Sequence, residues 1–150
     1  MENQMMKPLL ITGVLLFTFV KADSIRVNVK EVTVSGTSGA YRFSVTLKST
    51  ETGCEQYSDW WEVLSEEGAL LYRRILVHSH PDTQPFTRSG GKVDIKANDV
   101  VYIRGHMNKV GYVGAVFKGS AKEGFKVVTK VPDFDKSVER QKPLPNGCAF

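Results

Sequence analysis

The chain has 150 residues, of which 24% are charged and 41% hydrophobic, and its net charge is +4, or +3 without the first 22 residues. This length suits one domain with a core of its own. The charge is mild and forms no basic stripe, so the composition does not indicate a nucleic-acid-binding protein.

The first 22 residues have the pattern of a signal peptide. Lys7 precedes an apolar run at residues 9–20, and the letters VKA at residues 20–22 suit a cleavage site. The run is shorter than the roughly 20 apolar residues of a membrane-spanning helix. We therefore expect a secreted or periplasmic protein that begins near Asp23 and has no stable membrane insertion after cleavage. No cysteine lies at the cleavage site, which argues against a lipid anchor; an uncleaved anchor is the alternative.

Short strands follow in chain order. Residues 24–34 alternate apolar and polar side chains with a break in phase at Lys30 and Glu31, which predicts a strand with a bulge. Residues 41–48 alternate without a break. Residues 59–75 read as a hairpin around the polar loop at 65–68. Further strands are predicted at 92–95, 100–106, 112–118 and, less regularly, 125–131.

The end of the chain contains one of the two cysteines. From residue 120 the strand pattern fades, and residues 120–150 read as an extended C-terminal segment. Cys54 and Cys148 both survive signal cleavage, and an even number of cysteines in an oxidising compartment favours a disulfide. That bond would tether the extension to a domain at 23–119. Two free thiols or a metal-binding pair are the alternatives.

Strands at regular spacing without a helix predict an all-β sandwich. The letters KVDIKANDVVYIRGH, residues 92–106, resemble the E–F corner of fibronectin type III and other immunoglobulin-like domains. The resemblance implies an immunoglobulin-like β-sandwich of about seven strands, although the antibody-type cysteine pair around a tryptophan is absent. The letters CEQYSDWWEVL and HSHPDTQPFTRSGG are also similar to small secreted bacterial proteins of unassigned role.

All histidines of the sequence are predicted to lie on one rim of the sandwich. His78 and His80 follow the strand at 70–78, and His106 ends the strand at 100–106. Both strands pair antiparallel with the strand at 57–64, so they run in the same direction and end together. With Asp59, these side chains could bind zinc or copper. Two strands separated by a third lie about 9.6 Å apart, so the loops would have to fold inward; hydrogen-bonded rim histidines are the alternative.

The outer face of the same sheet is the predicted ligand surface. If Val101, Ile103, Leu71 and Ile75 are buried, alternation turns aromatic and basic side chains outward. This face comprises Trp60, Tyr72, Arg74, Tyr102 and Arg104. Since Trp60 and Trp61 are adjacent, one tryptophan of the pair faces outward and the other fills the core. The opposite phase at 70–78 would bury Tyr72 and Leu76 instead. Arg88, before Gly90 and Gly91, could join an anion-binding loop, or the glycines could serve a tight turn.

These features favour a secreted, non-enzymatic binding domain with an extracellular glycan, peptide or protein as its ligand. The second interpretation is a copper or zinc metalloprotein, either a carrier or a small metalloenzyme. The third is a structural component of the envelope or matrix. No nucleophile elbow, P-loop, dinucleotide fingerprint or metalloprotease motif is present.

Overall fold

A computed structural model describes residues 24–149, so the predicted signal peptide lies outside the described residues. In this range the chain forms strands and one short 3-10 helix. No helix among these residues is long and apolar enough to cross a membrane. The elements are β1 Val27–Ser35, β2 Tyr41–Ser49, β3 Ser58–Ser65, β4 Leu70–Ile75, β5 Phe86–Val93, β6 Val101–Met107, β7 Phe117–Ser120, β8 Gly124–Val127 and the helix Lys136–Arg140.

The strands form two antiparallel sheets, which confirms the all-β sandwich. One sheet has the order β1-β2-β5 and the other the order β4-β3-β6-β7-β8. The prediction that the strand at 57–64 pairs with both the 70–78 and the 100–106 strands is confirmed by the central place of β3. β4 and β6 therefore run in the same direction, and β4 and β5 are edge strands on the same side of the sandwich.

The core lies between the sheets, and strand alternation selects its members. β2 buries Phe43, Val45 and Leu47 completely, while the residues between them remain partly or fully exposed. Each such side chain stabilises the fold by about 1.5–3 kcal/mol through its removal from water. Trp61 fills the centre of the core from β3 with no measurable exposure, as expected for one tryptophan of an adjacent pair. The predicted bulge in β1 is confirmed between Val29 and Glu31.

The region around Gly90 corrects the prediction of a polar loop or tight turn. Residues 86–93 form β5, which pairs with β2 along its length. The sequence FTRSGG did not indicate a strand because it is polar. Its outward side chains include hydroxyls that form hydrogen bonds to β2, as Thr87 does with Thr46 at 2.7 Å. Gly90 is required by packing: a Cβ there would lie 2.5 Å from the Tyr72 hydroxyl. Tyr72 thus points between the sheets.

The last strands also differ from the prediction. The strand expected at 112–118 begins only at Phe117, and the strand expected at 125–131 ends at Val127. β8 pairs with β7, so the five-stranded sheet continues beyond residue 119. After it, residues 128–149, here called the tail, cross the outer face of this sheet. The tail contains the helix Lys136–Arg140, whereas the sequence predicted only extended chain.

The tail is held at several points. Phe134 and Val138 insert into a second, smaller apolar cluster on the sheet, formed with Leu64, Tyr102 and Val116. At its end, Cys148 forms a disulfide with Cys54, with the two Cα atoms 5.6 Å apart. The amide of Ala149 also donates to the carbonyl of Val77 at 2.6 Å. The cross-link therefore closes a segment that the apolar cluster already fixes.

Replacing both Cys54 and Cys148 with serine should lower the free energy of unfolding by about 4 kcal/mol, because the unfolded chain loses a constraint on a long loop. Amides at the end of the tail should exchange rapidly with solvent, whereas those of β3 and β6 should remain protected. Hydrogen exchange measured by mass spectrometry distinguishes the two regions. Loss of protection throughout β3 would show that the sandwich itself depends on the cross-link.

Candidate functional site

The structure divides the sequence-predicted site residues between the outer face of the five-stranded sheet, a pocket at the edge of the sandwich, and the core. The outer face of the five-stranded sheet holds Asp59, Trp60, Tyr102, Arg104 and His106. A pocket at the edge of the sandwich holds Arg74, His78, His80 and Arg88. Tyr72 belongs to neither, because its ring packs against Trp61 at 5.6 Å between centroids.

The outer face is organised around a carboxylate that the sequence analysis did not select. Glu62 of β3 has no measurable exposure and lies directly opposite Arg73 of β4 and Arg104 of β6. Arg73 Nη2 lies 2.7 Å from one of its oxygens, and Arg104 Nε lies 2.8 Å from the other. The indole Nε1 of Trp60 adds a hydrogen bond of 3.1 Å. Three strands are thus joined by one buried carboxylate.

Arg73 also binds the main chain of the tail. Its terminal nitrogens donate to the carbonyls of Val138 at 2.8 Å and Pro143 at 3.2 Å, and also to the carbonyl of Gln141. The guanidinium lies 4.4 Å from the ring centroid of Trp60. Arg73 therefore connects Glu62 to the tail, and the residue is only 4% exposed.

His106 makes a second polar connection between the sheet and the tail. Its Nδ1 lies 2.6 Å from Asp59 Oδ1, and its Nε2 lies 2.9 Å from Glu139 Oε1. Asp59 thus contacts the ring from the sheet, and Glu139 contacts it from the tail. The imidazole stacks on Trp60 with 3.5 Å between centroids and 8° between planes. The ring is thereby fixed in position and orientation.

The prediction of an open aromatic and basic face is wrong. Trp60, Tyr102, Arg104 and His106 do point to the outer side, but each is between 3% and 7% exposed because the tail covers them. In β4 the opposite phase is correct: Tyr72 faces the core, and Arg73 takes the outer position expected for Arg74. A letter pattern with apolar residues on both sides of β4 does not fix the phase, and a register shift near Leu64 changes it.

Tyr112 lies beside the Glu62 cluster and was also missed. Burial, followed by the nearby Glu62 carboxylate, raises the pKa of Tyr112 to about 12. Its hydroxyl is within 3.4 Å of Arg73 Nη2, and its ring lies 3.4 Å from the guanidinium carbon of Arg104. A phenol with this pKa stays protonated near neutral pH, so Tyr112 contributes hydrogen bonding and a ring face rather than a base.

The second place, here called the edge pocket, lies between the edge strands β4 and β5. Its volume is about 100 Å³. That is the space of about three water molecules at roughly 30 Å³ each, which suits a small oxyanion group. The polar side chains that line it are Arg74, His78, His80 and Arg88. Two guanidiniums and two imidazoles thus face one small volume.

His80 connects the edge pocket to the interior. Its Nε2 lies 2.6 Å from Arg88 Nη2, and a guanidinium only donates, so Nε2 accepts. Its Nδ1 is buried, has no hydrogen-bond partner in the described part of the chain and lies 3.7 Å from Glu51 Oε2. Burial of the ring, and then the charge of Arg88, lower the pKa of His80, while Glu51 opposes them. The ring stacks on Phe86 with 4.0 Å between centroids.

Glu51 supports this arrangement from behind. It is a buried carboxylate that accepts from Ser49 Oγ at 2.7 Å, from the amide of Ser58 at 3.2 Å and from the amide of His80. These bonds fix the chain that carries His80 after the end of β4. The sequence signal for Glu51 was weak, because an acid in a loop before a glycine is ordinarily exposed.

The histidines are divided rather than gathered. His106 contacts Asp59, Glu139 and Trp60 on the outer face, whereas His80 contacts Glu51, Arg88 and Phe86 beside the main core. His78 lies near His80, and its main chain pairs with that of Ala149 in an isolated β-bridge. Within residues 24–149, no group of three His, Cys, Asp or Glu side chains is arranged to hold a metal ion.

Comparison with known proteins gives one informative similarity. No protein-family model matches the chain, and no solved structure matches it. The chain is 42% identical over 88 residues to a protein of Halomicrobium mukohataei described as "Putative lipoprotein". That similarity covers 58% of this chain and 43% of the relative, so the chain spans less than half of the relative's length.

Replacing Glu62 with glutamine should destabilise the protein by about 3–5 kcal/mol, because two buried guanidiniums lose their counter-charge. Urea unfolding followed by tryptophan fluorescence measures the change. Glu66→Gln is the matched control: Glu66 is 51% exposed and pairs with Lys118 at the surface. Its loss should change stability by no more than about 1 kcal/mol. Equal effects of the two substitutions would contradict the role of Glu62.

Proposed function

We propose that the protein is an extracellular or surface-located binding domain that holds an anionic group of its ligand in the edge pocket. The observation that carries the proposal is the meeting of Arg74, His78, His80 and Arg88 around one small volume. The ligand is a glycan, peptide or protein that presents a carboxylate, sulfate or phosphate group. The predicted signal peptide and the description of the relative as a lipoprotein support the location.

The chemistry of the pocket supports an anion rather than a neutral group. Guanidinium groups bind oxyanions through charge-assisted hydrogen bonds, which contribute about 1.5–3 kcal/mol each. Arg88 is oriented by its bond to His80, so the entropy lost when a ligand orders it is reduced. Arg74 is exposed on the edge strand β4 and is free to move toward a ligand.

The position of the pocket supports recognition of a group on a larger molecule. It lies between two edge strands, at a margin of the sandwich, and the end of the tail reaches its border at Val77 and His78. The arrangement of β1-β2-β5 opposite β4-β3-β6-β7 is compatible with an immunoglobulin-like sandwich, the fold class proposed from the segment at residues 92–106. In such sandwiches, rims and edges are the surfaces that remain available to ligands.

Sulfate is a suitable probe because its charge does not change above about pH 4, unlike that of histidine. In an isothermal titration at constant ionic strength, Arg74→Gln and Arg88→Gln should each weaken sulfate binding by about tenfold or more. Arg42→Gln is the control, because Arg42 is an exposed arginine on β2, outside the edge pocket. If Arg42→Gln weakens binding as much, the attraction comes from overall charge and the pocket is not the site.

The pH dependence separates this proposal from a metal site. A bound anion favours the protonated form of His80, although burial and Arg88 hold the pKa of His80 below its ordinary value of about 6.5. Protonation removes the acceptor for Arg88 at Nε2, so both groups donate to the anion instead. By linkage, sulfate affinity should rise as the pH falls from about 7.5 to about 5.5, since anion binding is then coupled to proton uptake. Metal binding requires neutral imidazole and would weaken over the same range. A sulfate affinity that is constant or falls on acidification would contradict the anion site.

A further inference from the structure

A cleft on the other side of the five-stranded sheet has the features of a second binding site. It lies between the sheet and the tail, and its volume is about 220 Å³. Drug-sized ligands occupy about 300–1,000 Å³, so the cleft suits a smaller molecule. The sheet side contributes Arg104, Tyr112, Gly114 and Val116, and the tail contributes residues 131–136. We call it the tail cleft.

Arg104 is the polar group at the base of the tail cleft. The residue is 7% exposed, and its Nε donates to Glu62 at 2.8 Å. Within residues 24–149 no hydrogen bond joins its two terminal nitrogens to the protein. A guanidinium carries five N–H donors, so four remain available at the cleft. These donors are not sealed inside the protein, so a ligand in the cleft can accept hydrogen bonds from them.

The remaining surface of the tail cleft is partly aromatic and aliphatic and partly charged, because the tail also contributes Asp133, Asp135 and Lys136. The guanidinium carbon of Arg104 lies 3.4 Å from the ring centroid of Tyr112 and 5.5 Å from that of Phe134. Val116, Val131 and Pro132 add aliphatic surface, while Asp135 caps the helix by accepting from the amide of Ser137 at 2.8 Å. An inorganic anion would satisfy the guanidinium and leave this surface uncovered.

We propose that the tail cleft binds a small carboxylic acid with a flat apolar body. A carboxylate presents two coplanar oxygens that match the two terminal nitrogens of Arg104, and burial strengthens such bonds. The apolar body would pack between Tyr112, Phe134 and Val131. The site shares no residue with the edge pocket, so it does not depend on the proposed function.

Benzoate is the probe, titrated into the full mature protein and followed by NMR chemical shifts. The expected result is saturable shifts at Tyr112, Val131 and Phe134, with benzyl alcohol and acetate each binding at least tenfold more weakly. Equal binding of benzoate and benzyl alcohol would overturn the proposal, because the carboxylate would then make no specific bond. Benzoate shifts confined to Arg74 and Arg88, or no shifts at all, would also overturn it.

Val131→Trp tests the position without touching the Glu62 cluster. Val131 is 38% exposed on the tail, so a larger side chain should fill the cleft without unfolding the protein and should weaken benzoate binding at least tenfold. Val127→Trp is the matched control, since Val127 is 57% exposed on β8 and lies outside the cleft. Arg104→Lys should also weaken benzoate binding while thermal unfolding confirms that the variant is folded. Unchanged affinity in Val131→Trp would refute the assignment.

Discussion

The buried carboxylate of Glu62 is the interaction on which the outer half of this molecule depends. It lies on the central strand β3, opposite one arginine from each neighbouring strand, and none of its surface reaches water. A buried carboxylate is tolerated only if its charge is paired and its oxygens accept hydrogen bonds. Arg73 and Arg104 supply both requirements. The pairing also fixes the register of three strands, since a shift by one residue would direct Glu62 into the apolar core.

The arginines extend this constraint to the tail. One carboxylate cannot accept from all ten N–H donors of two guanidiniums, so further acceptors are needed. Arg73 finds them in three main-chain carbonyls of the tail, which belong to Val138, Gln141 and Pro143. Phe134 and Val138 add apolar contacts, and the disulfide closes the end. The tail is therefore a structural part of the sandwich, because it completes the hydrogen bonds of a charge that the sheet buries.

Within residues 24–149, Arg104 has no comparable set of acceptors. Arg73 therefore has a structural role, whereas the terminal nitrogens of Arg104 remain available to a ligand. Its position at the base of the tail cleft leaves its terminal nitrogens beside a volume of about 220 Å³ that both apolar and charged residues line. Between the edge strands β4 and β5, Arg74 and Arg88 line the edge pocket with His78 and His80, and the buried carboxylate of Glu51 supports His80. Both places present guanidinium groups to small volumes, and the two proposals rest on that shared chemistry.

The sequence by itself determined the fold class, most strand positions, the central place of β3 and the pairing of the two cysteines. Alternation and spacing are local properties, and a strand with one buried face must alternate apolar and polar residues in its sequence. It also identified Arg74, His78, His80 and Arg88 as candidate site residues, although it did not predict that they would meet. Only the tertiary structure decided which residues are covered. Whether Trp60 and Arg104 face water depends on the tail, which lies far from both of them along the chain. Whether Arg73 or Arg74 faces outward depends on a register shift opposite Leu64. Glu62 was missed for the same reason: a charge in a strand is ordinarily exposed, and only the arginines brought beside it by strand pairing make its burial favourable.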